Sequence, residues 1–370
     1  MANASTEVDA RWMALALTLG RRGHGRVWPN PAVGCVLVKE GHVIARGWTQ
    51  DGGRPHAERH ALDQVGNAAQ GATAYVTLEP CAHTGQTPPC CEALIEAKVA
   101  RVVVACDDPD PRVAGRGIER LRAAGITVTT GVLEAEARRD HAGFLNRITQ
   151  NRPFVTLKLA QSLDGRIATS TGQSQWITGP DARRRVHALR ARHDAVLVGA
   201  GTARADLPSL TVRGIGADRQ PVRIVLSSAL DLPTEGPLFD TAKQAPVWLV
   251  HCADAPTSAQ EAWRDAGAKL FPLGKSGVDA PDAMKALAEA GITRLFCEGG
   301  GGLASSLVTA GLVDELVVFS AGVVLGGDGL PAMAALGLDQ LSEAARFELV
   351  HAEQVGADLM QVWRAPQTPI

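Results

Sequence analysis

His56 and Glu58 stand two residues apart in Pro55-His56-Ala57-Glu58. Three cysteines follow in Glu79-Pro80-Cys81-Ala82-His83-Thr84-Gly85-Gln86-Thr87-Pro88-Pro89-Cys90-Cys91. One imidazole and two thiolates can fill three tetrahedral positions of a zinc ion and leave the fourth to water. Zinc lowers the pKa of that water toward neutrality. A nearby carboxylate that is not a ligand can then move its proton. The residues therefore read as His56, Cys81 and Cys90 for the metal and Glu58 for catalytic proton transfer. Cys91 remains a rival ligand, although Cys90 is the one that directly follows the prolines. A helix beginning at His56 and another at Cys90 would favour thiolate and developing negative charge at their N-termini.

The elements that must position these groups can be read from periodicity. Residues 9–21 have helical spacing of Trp12, Met13, Ala16, Leu17 and Leu19. Val33 to Val38 and Val43 to Ala45 flank Lys39-Glu40-Gly41-His42, a hairpin signal. A helix should start near His56, with Pro55 in its first turn. Strands are expected at 72–78, 100–106 and 126–129, and helices at 90–98 and 117–124. This predicts an α/β/α sandwich around a mixed sheet. Residues 134–152 read as a charged helical connector ending at Asn151-Arg152-Pro153.

A second α/β rhythm starts there. Strands are expected at 154–159, 195–198, 222–226, 247–250 and 295–297, with helices at 180–191, 257–266 and 281–290. Two late strands, about 315–325 and 346–364, have no long helix between them and should pair antiparallel. The boundaries are therefore a first domain at 1–150 and a second at 151–370. A chain of 370 residues suits two cores.

Composition excludes several classes. Formal net charge is −2, whereas a general nucleic-acid binder usually carries a basic excess. No apolar run approaches a membrane span. Met1 to Asp9 lacks the apolar core of a signal peptide, so a cytoplasmic location is expected. Seven cysteines, four of them (35, 106, 252 and 297) in strand-like runs, suit reduced thiols and a metal site rather than a disulfide framework.

The ligand set is that of the zinc deaminases, whose signature places two residues between the cysteines. Here eight separate Cys81 from Cys90. That long-spaced string resembles the bifunctional deaminase/reductase family of riboflavin biosynthesis. Pro29-Asn30-Pro31-Ala32-Val33-Gly34 and Asp107-Asp108-Pro109-Asp110-Pro111-Arg112-Val113-Ala114-Gly115-Arg116-Gly117 match it too. In the second half, Leu157 to Arg166 and Ser174-Gln175-Trp176-Ile177-Thr178-Gly179 are similar to the reductase part.

The resemblance implies two reactions: removal of an exocyclic amino group from a pyrimidine ribosylamino phosphate, then NADPH reduction of the ribosyl to a ribityl chain. It implies a cytidine-deaminase-like first domain and a dihydrofolate-reductase-like second domain. It places zinc on His56, Cys81 and Cys90, makes Glu58 the proton donor, and sets Asn30 and His83 against the pyrimidine substrate. In the second half it implies NADP contacts at Ala160, Trp176, Thr202, Asp206, Ser228 and the run Gly300, Gly301, Gly302, Leu303, Ala304, Ser305 and Ser306. Ser174, Arg190, Leu210, Arg213 and Glu298 would touch substrate. The family more often has a second acid where Leu207 stands. Independently of the resemblance, Glu298-Gly299-Gly300-Gly301-Gly302 after a strand and before a helix from Leu303 would let backbone N–H groups reach a pyrophosphate. A homodimer through the second domain is expected, with no nucleic-acid or membrane partner. A deaminase carrying a non-catalytic scaffold, and a nucleic-acid-editing deaminase, are the competing readings. The latter calls for a basic second domain and short cysteine spacing.

Overall fold

The structure is a computed structural model that describes residues 2–85, 88–275 and 277–366; Gln86 and Thr87 of the cysteine string lie outside them. The chain folds as two compact units, Met1–Arg152 and Pro153–Ile370.

In the first unit, α1 (Ala2–Gly20) precedes the hairpin β1 (Gly34–Lys39) and β2 (His42–Trp48). Then come α2 (Ala57–Val65), β3 (Thr73–Val76), α3 (Cys90–Glu96), β4 (Arg101–Val104), α4 (Arg116–Ala123), β5 (Thr127–Thr130) and α5 (Glu134–Gln150). The sheet runs β2-β1-β3-β4-β5. β1 is antiparallel to both neighbours, and β3, β4 and β5 are parallel. The expected mixed sheet is present.

Two glycines show how it is sandwiched. Gly34 pairs with Trp48 and Gly47 with Cys35, so the glycines lie on opposite faces. A Cβ at Gly34 would come within 1.8 Å of the Ala16 carbonyl in α1, and one at Gly47 within 2.0 Å of the Ala57 carbonyl in α2. Each helix thus rests directly on the strand backbone, one per face. The connector expected at 134–152 is no linker. As α5 it buries Ala137, His141, Phe144 and Leu145 in the first unit. Its many charges lie on its solvent side, which masked the apolar stripe.

The second unit begins with β6 (Phe154–Ser162) and β7 (Arg166–Ala168), then α6 (Pro180–Arg190), β8 (Ala195–Gly199), α7 (Ala200–Asp206) and β9 (Val222–Leu226). Next are α8 (Pro237–Asp240), β10 (Val247–His251), α9 (Thr257–Asp265), β11 (Lys269–Pro272), α10 (Ala280–Glu289), β12 (Arg294–Cys297) and α11 (Gly301–Thr309). β13 (Glu315–Ala321), β14 (Leu330–Pro331), β15 (Glu348–Val355) and β16 (Asp358–Arg364) complete it. The large sheet runs β11-β10-β9-β8-β12-β6-β13-β16-β15. It is parallel from β11 to β13, and β16 and β15 close one edge antiparallel.

Three expectations change. The single strand at 346–364 is a hairpin broken at Gly356, whose φ of +64° suits a turn that glycine adopts freely. Helix α11 starts at Gly301, two residues before Leu303, because the Gly300 N-cap already turns the chain. The short elements β7, α7, α8, β11 and β14 carry too few residues to show periodicity.

Buried strands of a parallel sheet read as apolar runs, and β9 obeys this except at Arg223, which is fully buried. Its guanidinium donates to the carbonyls of Ser209, Thr241 and Ala245. Neutral acceptors thus satisfy most of a charge that burial would otherwise disfavour.

Candidate metal centre and dinucleotide cavity

His56 is the N-cap of α2, in extended conformation, and Pro55 lies before it rather than in the first turn. The cap geometry takes His56 off the helix and leaves Glu58 in its first turn, buried. Cys90 opens α3, and its N–H donates to Cys81 Sγ at 3.3 Å. The Cys81 carbonyl accepts from Cys91 N at 3.2 Å. His56 Nδ1 lies 3.3 Å from Cys90 Sγ and 3.6 Å from Cys81 Sγ, and the three candidate ligand atoms all fall within 4.8 Å of one another. A zinc ion with ordinary Zn–N and Zn–S bonds holds such atoms about 3.5–3.8 Å apart, so the cluster fits one.

The electrostatics fit as well. A hydrogen bond from Cys90, helped by His56 and opposed by burial, pulls the Cys81 thiol down to about 4. The Cys90 thiol, beside that thiolate and buried, is pushed well up. Two adjacent thiols cannot both ionise without a cation between them, and a dication removes the conflict. Burial, reinforced by Cys81, raises the Glu58 carboxyl to about 7. Cys91 is buried on the core side among apolar residues and is not in the cluster.

Glu79 is the brace behind Cys81. Its carboxylate accepts from the N–H groups of Gly115 (3.0 Å), Gly117 (2.9 Å) and Ile118 (3.3 Å) at the start of α4. A negative charge there is favoured by the helix dipole. A Cβ at Gly117 would sit 2.0 Å from the Pro80 carbonyl, so glycine is required where α4 meets the Cys81 loop.

A cavity of about 330 Å³ opens over this cluster, and Asn30, His56, Glu58, Cys81 and His83 line it. Thr49 holds the Asn30 loop by accepting from Val33 N and donating to the Pro31 carbonyl. His83 Nδ1 is buried with no hydrogen-bond partner, an orphan facing the ligand space. Sequence reasoning assigned no role to five further lining groups: Arg54, Asp108, Asp110, Arg112 and Arg147. Burial lifts the Asp108 carboxyl to about 7, whereas the Arg112 hydrogen bond lowers Asp110. The Asp107 to Arg112 motif was visible; Arg147 was hidden by the reading of α5 as a connector.

In the second unit, the carboxyl ends of β8 and β9 and the first turns of α10 and α11 border a cavity of about 590 Å³. Ligands of open α/β sheets bind at this edge. Of the expected cofactor contacts, Ser228, Leu303, Ser305 and Ser306 line it, whereas Thr202 and Gly300 to Gly302 lie off its wall. The N-cap of α11, Gly300, has no side chain to cap the helix, so the first-turn N–H groups stay available to a pyrophosphate. Gly300 N donates to Thr202 Oγ1 at 3.1 Å, which ties α7 to the glycine run. Gly301 approaches the Pro331 carbonyl, and space around Gly302 is open. These features fit a dinucleotide.

Other expected contacts lie elsewhere. Ala304 is fully buried and does not line the cavity. Ser305 donates its hydroxyl to the Gly301 and Ala334 carbonyls. Ala160, Trp176 and Asp206 are off the cavity wall, and Trp176 is exposed with Arg183 stacked 4.6 Å over its ring. Ser174 is half-buried in the preceding loop, Leu210 is a core residue, and Arg213 is exposed.

Arg190 and Glu298, expected to meet substrate, grip each other through two hydrogen bonds, one of 3.0 Å from Nη2. Against the upward push of burial, Arg190 and Lys158 hold the Glu298 carboxyl below its ordinary value. Lys158, which sequence reasoning left unassigned, is lowered by burial and faces Glu298 and Asp206. A lone lysine in the apolar run Phe154 to Leu159 was the available signal.

Residues 153–361 match the RibD C-terminal domain, and residues 6–106 match the cytidine and deoxycytidylate deaminase zinc-binding region. The chain is 43% identical over 364 residues to the riboflavin biosynthesis protein RibD of Escherichia coli, covering 95% of this chain and 98% of that one. It is 42% identical over 354 residues to that of Aquifex aeolicus, covering 96% and 98%. The chain belongs to the RibD family. Its fold superposes on Acinetobacter baumannii RibD with a TM-score of 0.88 at 38% identity, covering 98% of this chain and 100% of that one. A Thermotoga maritima deaminase/reductase gives 0.86 at 34% identity with the same coverage. As a RibD-family chain it is a bifunctional enzyme of riboflavin biosynthesis, with a zinc-binding deaminase half and a reductase half that uses NADPH. Among the described residues no helix is long and apolar enough to cross a membrane.

Proposed function

We propose that the first unit deaminates a diaminohydroxyphosphoribosylaminopyrimidine and that the second reduces the resulting 5-amino-6-(5-phosphoribosylamino)uracil, the two activities named for the Thermotoga relative. The observation that carries the first half is the approach of His56 Nδ1 to both thiols beside a buried Glu58. His56, Cys81 and Cys90 would hold a zinc ion, which when bound would supply an acidified water. Glu58, buried beside those ligands, would carry the two protons of the attacking water in turn, one to the ring nitrogen and the other to the departing amine. One water is consumed, the C–N bond breaks, a carbonyl forms and ammonia leaves. Asn30 and His83 orient the ring, and the cavity walls limit bulk water.

In the second unit NADPH, when bound, would supply the hydride for the reduction. Ser228, Thr202 and the Gly300 to Ser306 turn hold the dinucleotide, together with Ala160, Trp176 and Asp206. Arg190, whose Nε and Nη2 are taken by Glu298 and whose Nη1 donates to the Thr211 carbonyl, borders the substrate with Ser174 and Leu210, and the exposed Arg213 offers its guanidinium to the sugar phosphate. The deaminase role belongs to residues 1–150 and the reductase role to 151–370. The test is zinc content, ammonia release and NADPH oxidation on one preparation. Ammonia release with no NADPH oxidation in the presence of the deaminated intermediate would favour a scaffold role for the second half.

The same proposal includes a cytoplasmic homodimer with no nucleic-acid partner. β15 is a sheet edge with Leu349 and Val350 about half exposed, and such an edge invites pairing with a second copy. Light scattering should give twice the chain mass, and Leu349→Lys should halve it. A monomeric wild-type chain contradicts this part.

A further inference from the structure

We propose that Asp164 is a positioning residue of the reductase half. Its carboxylate holds the segment 325–335 against the start of α11, and so sets how tightly the neighbouring cavity takes NADPH. The inference rests on the reading of that cavity as the cofactor site.

The segment has little structure of its own. Its strand, β14, pairs with β7 at two positions, with a register shift between them, in a sheet of two strands. So small a ladder is marginal by itself, and other ties must hold the segment. At one end Asp164 accepts from Leu325 N at 3.1 Å and from Gly326 N at 2.8 Å. Just before it, Leu163 N donates to the Val323 carbonyl at 2.8 Å. In the middle, Ala332 N donates to the Gly165 carbonyl at 3.0 Å, and a Cβ at Gly329 would sit 3.0 Å from the Ala168 carbonyl. At the far end, Ala334 N donates to the Gly301 carbonyl at 3.1 Å, and the Ala334 carbonyl accepts from Ser305 Oγ at 3.0 Å. Ala335 comes next in the chain and lines the cavity with Ser305 and Ser306. Contacts thus run unbroken from an exposed carboxylate to the cavity wall. Asp164 itself is not on that wall, so it acts on the cavity through the segment.

Asp164 is also held in place. The buried Ser162 hydroxyl donates to it at 2.6 Å and accepts from Arg166 N at 2.9 Å, which closes the β6–β7 turn. The Ser162 hydrogen bond, with the N–H groups of Leu325 and Gly326, lowers the Asp164 carboxyl to about 2. A charged acceptor binds its donors more strongly than a neutral one. An asparagine there has the same outline but one acceptor oxygen, and its amide N–H groups would face a backbone donor.

The test is NADPH binding to the zinc-loaded full chain by titration calorimetry, with steady-state reduction of the deaminated intermediate, for wild type, Asp164→Asn and Ser306→Trp. Asp164→Asn should weaken NADPH by about 5–30-fold, the loss expected of one or two charge-assisted hydrogen bonds. Its KM for NADPH should rise in step, while kcat at saturating NADPH and KM for the intermediate stay within about twofold. Zinc content and ammonia release should not change. Ser306→Trp fills the cavity and should block NADPH. In wild type, NADPH should slow amide hydrogen exchange across 325–335; exchange there that ignores NADPH overturns the proposal without any variant. If Asp164→Asn keeps its NADPH affinity while Ser306→Trp blocks it, the positioning role falls and the cavity reading stands. If Ser306→Trp leaves the affinity intact, the cavity reading fails and the role of Asp164 with it. A loss in Asp164→Asn that falls equally on the intermediate, or on kcat at saturation, marks general support of the fold and also overturns the proposal.

Discussion

The metal cluster of the first unit is made of side chains, whereas the cavity of the second is made of backbone and shape. His56, Cys81, Cys90 and Glu58 converge because two helix starts and one braced loop meet. Each of those groups is chemically irreplaceable. The second cavity is lined mostly by glycine, serine, alanine and aliphatic residues at strand ends and helix starts. Under the proposed reading a dinucleotide would be recognised there by N–H groups that any sequence can supply if the chain turns correctly. Substitutions should therefore act all-or-none in the first site and by degrees in the second.

The sharpest way to break that contrast is the ligand set. Cys81→Ser and Cys90→Ser should each remove zinc from the chain and lower deamination by about a thousandfold or more, an effect typical of losing the central catalytic group. Cys91→Ser should keep both. Metal analysis that shows zinc lost only from the Cys91 variant would reverse the assignment.

Next is the ion pair of the second unit. Arg190→Met takes the hydrogen-bonded partner from the buried Glu298 carboxylate and leaves Lys158 as its main cation, and breaking such a pair costs about 3–5 kcal/mol. Denaturant unfolding should show that loss in the second unit, with a raised KM for the reductase substrate and unchanged zinc content. An unaltered transition would mean that the pair is solvated.

Smaller still is Gly117→Ala. Its Cβ must displace the Pro80 carbonyl, and overpacking of this kind costs about 1–3 kcal/mol. Weaker zinc retention against a chelator should accompany the lower Tm, because Pro80 precedes a ligand. Full retention would show that the Cys81 loop shifts freely.

Protonation gives the finest comparison, because burial disfavours the charged form of a carboxyl in the first unit and of an imidazole in the second, and so moves their pKa values in opposite directions. Asp108 is raised to about 7, so between about pH 4 and 7 the folded state holds the extra proton and stability falls as pH rises. His193 is lowered to about 3 by burial, so between about pH 3 and 6.5 the unfolded state holds it and stability rises with pH. The stability of Asp108→Asn relative to wild type should grow from pH 4 to 7, measured by denaturant midpoint. His193→Gln should lose part of the rise between pH 3 and 6.5. Parallel pH curves for either variant and wild type would contradict the burial account.

The same contrast explains what could be read from sequence. Cys81, Cys90 and His56 are rare residue types in a string with few other uses, so the metal site stood out before any fold was known. The central strands, such as β9 and β10, were legible as apolar runs. Arg147 was missed because the charges on α5 hid its buried face. The Arg190–Glu298 pair joins residues 108 positions apart, a proximity that no local pattern encodes. Ala304 was included with its glycine neighbours, yet helix geometry turns it into the core.

The central claim is that one chain carries two chemically independent sites. Glu58→Gln tests it most directly, assayed for ammonia release and, with the deaminated intermediate supplied, for NADPH oxidation. Ammonia release should fall by about a hundredfold to ten-thousandfold, with NADPH oxidation within about twofold of wild type. Loss of both activities in a chain that keeps its zinc, its fold and its NADPH affinity would contradict the two-site account.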